Sequence, residues 1–147
     1  MKDLTRNIRN AVADAAANIR KIDEKEFEFK PSDTKWSKKE ILGHLCDSAQ
    51  NNLHRFIRGQ YENQPKIVYY QDDWVRVQRY KDYDTEELIN FWVALNNHLC
   101  RTLDIMTTDN YEKKVDTGKP GVDLHTIQFI ADDYLTHMNH HLKQIIS

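Results

Sequence analysis

Apolar residues recur at steps of three and four along four stretches of this chain, and each stretch predicts an amphipathic helix. Leu4, Ile8, Val12, Ala15, Ile19 and Ile22 share one face of the first, over residues 2–22. Ile41, Leu42, Leu45, Ala49, Leu53, Phe56 and Ile57 mark the second, with Gly59 as its expected stop. It opens on Ser37, whose hydroxyl can accept from the Glu40 amide while the Glu40 carboxylate reaches back, a capping box. Trp36, just before the cap, is placed to staple onto the first turn. Leu88, Phe91, Trp92, Leu95, Leu99, Leu103 and Met106 define the third helix, capped by Asp84 or Thr85 and ending near Thr107. Ile127, Ile130, Ala131, Tyr134, Met138, Leu142 and Ile145 define the fourth, with Asp123 as its expected cap and an end close to Ser147.

Between these runs the period breaks. Residues 26–34, with Pro31 before Ser32 and Asp33, read as a loop, as do residues 109–122, with Gly118, Pro120 and Gly121. The connection over 61–83 holds Pro65 and tyrosines at 69, 70, 80 and 83, with a short helix expected at 72–77. A connection of this length in a small protein generally covers something. With no run of alternating strand residues, the pattern predicts an all-α fold, an antiparallel four-helix bundle whose long connections leave room for crossovers.

A chain of 147 residues fits a single domain, 1–147, with one core. Lys and Arg total 21 against 23 for Asp and Glu, a net charge of -2, which offers no basic excess for a phosphate backbone and argues against nucleic acid. The charged start Met1-Lys2-Asp3-Leu4-Thr5-Arg6 lacks the apolar stretch of a signal peptide, and no later window approaches a membrane span; a soluble, cytoplasmic protein without membrane contact is expected. Cys46 and Cys100 fall in separate helical patterns and are expected as reduced, buried thiols.

The candidate chemistry lies in the histidines. His137 and His141 are four apart on the fourth helix, about 40° from one another on the helical wheel and beside Ile130 and Tyr134, so both face the bundle interior. Two imidazoles on successive turns can chelate one ion, although each can instead simply hydrogen-bond at the core edge. On the second helix His44 lies at the flank of the apolar arc, followed at one-turn steps by Ser48 and Asn52. That row of polar groups beside a hydrophobic stripe suggests a pocket inside the bundle. His140 lies roughly 60° from His137 and roughly 100° from His141, outside the apolar arc, and His125 roughly three turns earlier, so neither is placed in the site. His54 and His98 belong to no obvious pair.

Two segments resemble a known family. Trp36-Ser37-Lys38-Lys39-Glu40-Ile41-Leu42-Gly43-His44-Leu45-Cys46-Asp47-Ser48 resembles the W-S-x-x-E-x-x-x-H-x-x-D-S segment of DinB-like proteins, the superfamily that includes YfiT-type metal-dependent hydrolases and bacillithiol transferases. His137-Met138-Asn139-His140-His141-Leu142-Lys143-Gln144-Ile145 resembles the family's closing H-x-x-H-H-x-x-Q-I segment. The resemblance implies that His44, His137 and His141 bind a divalent ion, usually zinc or nickel, with other coordination places left to water.

Three imidazoles with an open position describe a catalytic rather than a structural centre. The expected function is a metal-dependent enzyme, foremost a transferase in which a low-molecular-weight thiol held by the ion attacks an electrophilic substrate. The alternatives are a hydrolase using metal-bound water and a non-catalytic, dimeric helical-bundle interaction protein, for which Phe129 and Leu135 are the exposed apolar residues. Asp47, Ser48, Asn52 and Tyr134 are expected around the ligands or in the pocket. Asp47, about 60° from His44 and further from the core, is expected to cap, pair or orient rather than to serve as a base.

Overall fold

The computed structural model describes residues 1–147. Its elements in chain order are α1 (Lys2–Ile19), α2 (Glu24–Glu28), α3 (Lys38–Tyr61), α4 (Gln71–Gln78), a 3-10 turn (Tyr80–Asp82), α5 (Thr85–Asp104), α6 (Thr108–Tyr111), β1 (Lys114–Asp116), β2 (Leu124–Thr126) and α7 (Ile127–Ile146). The four long helices are those the apolar spacing predicts, and their stripes form the core, in which Trp92, Phe27 and Phe56 are the largest fully buried side chains. The capping box forms as expected: Ser37 Oγ accepts from the Glu40 amide at 3.1 Å, and the Glu40 carboxylate accepts from the Ser37 amide at 3.0 Å. Asp84 caps α5 by accepting from the Glu87 amide. No helix is long and apolar enough to cross a membrane.

The helices α1 and α3 both pack on α5 and α7, so the first two long helices of the chain sit diagonally across the bundle. Thr5 on the first turn of α1 donates to Asp104 at the end of α5, and Arg20 just beyond α1 donates to Glu86 at the start of α5, so these two run antiparallel. Lys39 reaches the Lys81 carbonyl just before α5, and Gln60 near the end of α3 accepts from Asn110 just after α5. Hence α3 and α5 run parallel, and the intervening connection must travel the length of the bundle. That is the physical reason for its length.

This return segment lies along α3 as a strap. Val75 and Tyr80 are buried against the helix, and the Tyr80 hydroxyl donates to the Asp47 carboxylate. The ring of Tyr80 sits directly over Gly43, where a Cβ would collide with it. The strap overturns the expected position of Asp47. The side that the apolar spacing marks as remote from the core is a second buried face, and Asp47 is fully buried there.

Three further expectations are corrected. The helix α3 runs through Gly59 to Tyr61, and the missing side chain instead lets Val115 and Ile127 pack against the backbone, with Val115 Cγ2 2.7 Å from where a Cβ would stand. The presumed loop after α5 contains α6 and a hairpin in which Val115 pairs with His125, its strands too short for alternation to show. Asp123 does not cap α7; Thr126 does, its hydroxyl accepting from the Phe129 amide at 3.0 Å.

Asp116 joins hairpin and strap. Its Oδ1 accepts from the Gly118 and Asp123 amides, both at 2.9 Å, its backbone bridges to Pro65 and Ile67, and Lys66 Nζ lies 3.3 Å from its Oδ2. The two amide donors, with Lys66 adding to them, hold the Asp116 pKa below the usual carboxylate value.

Two predictions follow the packing. Gly43→Ala should destabilise the protein by about 1–3 kcal/mol in urea melts, and a Tyr80→Ala background should remove most of that loss. Because the folded pKa of Asp116 is depressed, its charge stabilises the fold above the unfolded pKa and ceases to do so as pH falls through the folded value. Asp116→Asn should therefore lower the melting temperature at pH 7, with the difference from wild type closing as the pH falls below about 4.

Candidate metal centre

Because α3 and α7 pack together and run antiparallel, the second turn of α3 faces the C-terminal half of α7. His44 from the former meets His137 and His141 from the latter, and one ring nitrogen from each lies within 4.8 Å of the others. The Nε2 atoms of His44 and His137 are 3.3 Å apart. Nitrogens bound tetrahedrally at zinc–imidazole distance stand about 3.3 Å from one another, so this pair already has the spacing of two ligands on one ion. The rings are nearly perpendicular in pairs, with centroid distances of 5.2, 4.8 and 4.6 Å.

Burial sets the charge of the cluster. It pushes the pKa of His44 down to about 3, with the neighbouring imidazoles adding to the effect, and that of His137 down to about 4, with His141 as the next cause. Burial also lowers His141, against an opposing hydrogen bond to Gln144. All three rings are thus neutral near pH 7 and offer lone pairs to an ion without competition from protons. His141 Nδ1 lies 2.8 Å from Gln144 Oε1. An amide oxygen only accepts, so Nδ1 carries the proton and Nε2 is left free as a ligand atom. His44 Nδ1 is buried without a hydrogen-bond partner, and its ring is held instead by packing under Trp36, at 4.9 Å between centroids. Three neutral imidazoles fit a divalent ion such as zinc or nickel and leave part of its coordination open.

The triad is reached from two sides. On the side of His137 a cavity of about 390 Å³ lies between α3, α7, the strap and the hairpin, and His137, Ser48, Asn52, Tyr69, His125 and Tyr134 are among the residues that line it. On the side of His141 an open groove of about 520 Å³ is lined by Trp36, Ile41, Gln71, Asp72, His141 and Gln144. A comparable groove at the far end of the bundle, around Gln60 and Lys113, contains no histidine.

Of the residues singled out from the sequence, His44, His137 and His141 converge, while Ser48, Asn52 and Tyr134 line the adjoining cavity. Tyr134 donates to Asn96 Oδ1 at 2.6 Å, which fixes its ring against the cavity floor. Asp47 is apart from the cavity. Its Oδ1 accepts a hydrogen bond from the Tyr80 hydroxyl, its Oδ2 is buried without a partner, and burial raises its pKa to about 6. His140 is exposed with its ring 5.2 Å from that of His141, and His54 and His98 are exposed.

Two residues at the cavity escape the sequence reading. His125 stands not on α7 but on β2, where it pairs with Asp123 at 3.0 Å and stacks on Phe129 at the cavity mouth. Arg55 lines the same wall as Ser48 and Asn52. The spacing 44, 48, 52, 55 continues one helical strip, and following it one step further would have found the arginine.

A helical bundle with a three-histidine centre between its second and fourth long helices is the architecture of a metal-site protein. A family model described as the DinB superfamily matches residues 6–145, and the chain belongs to that superfamily. No curated protein matches the chain. Among solved structures, YfiT from Bacillus subtilis, described as a probable metal-dependent hydrolase with an unusual four-helix bundle topology, is similar with a TM-score of 0.88. Its identity is 18%, over 98% of this chain and 82% of that one. The DinB-like protein YjoA from Bacillus subtilis is similar with a TM-score of 0.62 and 16% identity, over 97% of this chain and 87% of that one. Likeness at these identities is one of fold.

Metal analysis by mass spectrometry on untagged protein should find about one divalent ion per chain. His44→Ala, His137→Ala and His141→Ala should each weaken binding more than about tenfold, whereas His140→Ala should retain the ion.

Proposed function

We propose that this protein is a metal-dependent enzyme with residues 1–147 as its single domain, and that it transfers a low-molecular-weight thiol to an electrophilic small molecule. The observation that carries this reading is that one histidine triad is open to two separate cavities, with His137 on one and His141 on the other. A transfer needs two reactants at one centre, and two approaches supply it.

A divalent ion held by His44, His137 and His141 supplies Lewis acidity, which favours the deprotonated form of a nucleophile. The protein supplies the rest. The neutral imidazoles hold their ligand geometry through burial and through Gln144 on His141 Nδ1. Asp133, one turn before His137 and on the same cavity wall, is a carboxylate able to take the proton from the entering thiol. Sulfur then forms its bond to the electrophilic carbon as the leaving group departs with its electron pair and recovers a proton. Ser48, Asn52 and Tyr69 orient the reactant by hydrogen bonds, and Trp36 borders the second approach.

Hydrolysis is the second reading, favoured by the same Asp133 carboxylate acting on water and by the description of YfiT. Zinc- or nickel-loaded protein incubated with a small thiol and 1-chloro-2,4-dinitrobenzene should form conjugate in step with thiol loss, and His44→Ala should not. Cleavage of p-nitrophenyl acetate without thiol, and no conjugate, would establish the hydrolase instead; inertness in both assays, with metal bound, would remove the enzymatic reading.

A further inference from the structure

The geometry points to Arg55 as a carboxylate-binding residue: the cavity on the His137 side takes an elongated small molecule with its reacting group at the triad and a carboxylate on the Arg55 guanidinium. This rests on the triad being the reaction centre.

Arg55 is partly buried, and its Nε and Nη2 donate to the Ile67 carbonyl at 3.1 and 3.0 Å while Nη1 donates to Asn52 Oδ1 at 3.2 Å. All of these acceptors are neutral. Arg6, Arg9, Arg20, Arg58, Arg76 and Arg79 each pair with a carboxylate within hydrogen-bond reach, and Arg101 is exposed to water. Arg55 alone combines partial burial with the absence of a directly paired carboxylate, and it lies on a cavity wall where Asp133 attracts it only from beyond ion-pair distance. A clamp on the Ile67 carbonyl needs only a neutral donor, whereas a desolvated charge is costly until an anion meets it. Two of the five guanidinium N–H groups remain unused, enough for the two oxygens of one carboxylate.

The rest of the cavity limits the charge of that anion. Asp123 at the mouth and Asp133 both line the wall, and a dianionic phosphate would meet them. A singly charged carboxylate is the better match. Spacing sets the length: Arg55 follows His44 by eleven residues, about 16 Å along the helix. Its side chain leans back toward Asn52, which leaves roughly 10 Å between guanidinium and triad. The ligand is therefore longer than a simple mercapto acid of three carbons.

The test uses nickel-loaded full-length protein and follows sulfur-to-nickel charge-transfer absorption. Titrants are ω-mercaptocarboxylates of three to eight carbons and the ω-mercaptoalcohols of equal length. Carboxylates of six to eight carbons should bind at least about tenfold more tightly than the matching alcohols, and the shortest carboxylates should show no such preference. Arg55→Gln should abolish the preference while leaving the affinity for alcohols unchanged, which also reports that the variant is folded. Arg55→Lys, with its charge kept and its fork lost, should retain part of it. Equal affinities at every length in wild type, or a full preference surviving in Arg55→Gln, would overturn the assignment. Absence of any charge-transfer band would instead count against thiol binding at the triad. The arginine is then tested by calorimetry on metal-free protein with monomethyl adipate: binding lost in Arg55→Gln supports it, and no heat in wild type overturns it.

Discussion

Burial of α3 on two opposite faces governs the rest of this molecule. One face joins α5 and α7 in the core, and the other lies beneath the strap that returns from the end of α3 to the start of α5. Polar groups on such a helix must find partners within the protein. Asp47 accepts from Tyr80, Asn51 donates to the Asp47 carbonyl, and Lys39 reaches Glu28 and the Lys81 carbonyl. The Nε2 of His44 has only the facing imidazole of His137. The same desolvation that would penalise an isolated imidazolium keeps these rings neutral and suited to a metal ion.

Ligands and cavity walls come from different kinds of structure. The three histidines project from long helices locked in the core, whereas the walls include Tyr69 from the strap and Thr117, Asp123 and His125 from the hairpin. Those two irregular segments are held to each other through Asp116, which binds amides of its own loop, and Lys66, which also donates to the Gly118 and Gly121 carbonyls. The ion site is thus fixed by helix packing, and the shape of the cavity by a polar junction some distance away.

The sequence made the helices legible because each has an uninterrupted stripe and the caps Ser37 and Asp84 carry the expected chemistry. It also made the convergence of His44, His137 and His141 legible, since His137 and His141 share an inward face and the segment around His44 matches a family pattern. What it hid depended on contacts made across the chain. Asp47 lies on the polar side of α3 by periodicity, and only the strap, with Tyr80 over Gly43, buries it. Gly59 reads as a stop by local propensity, yet Val115 and Ile127 fill the space above it. His125 reads as part of a helical run because three-residue strands are too short to show their period. A TM-score of 0.88 at 18% identity to YfiT fits the same division, for a bundle needs the stripe more than particular residues.

The parallel course of α3 and α5 explains why the triad has two approaches. An α3 followed by an antiparallel neighbour would need only a short turn, and its outer face would stay open to water. Here the chain must climb back along α3, and it does so across the level of the histidines. Tyr69 lines the cavity beside His137, while Gln71 and Asp72, only two and three residues later, line the groove beside His141. The strap therefore stands between the two openings as a partition. A change in the strap at residues 69–72 would alter both approaches at once, whereas a change at Arg55 or His125 would alter only the His137 side. Access to the triad is thus separable on the far walls and coupled at the partition, a consequence of the direction in which α5 runs.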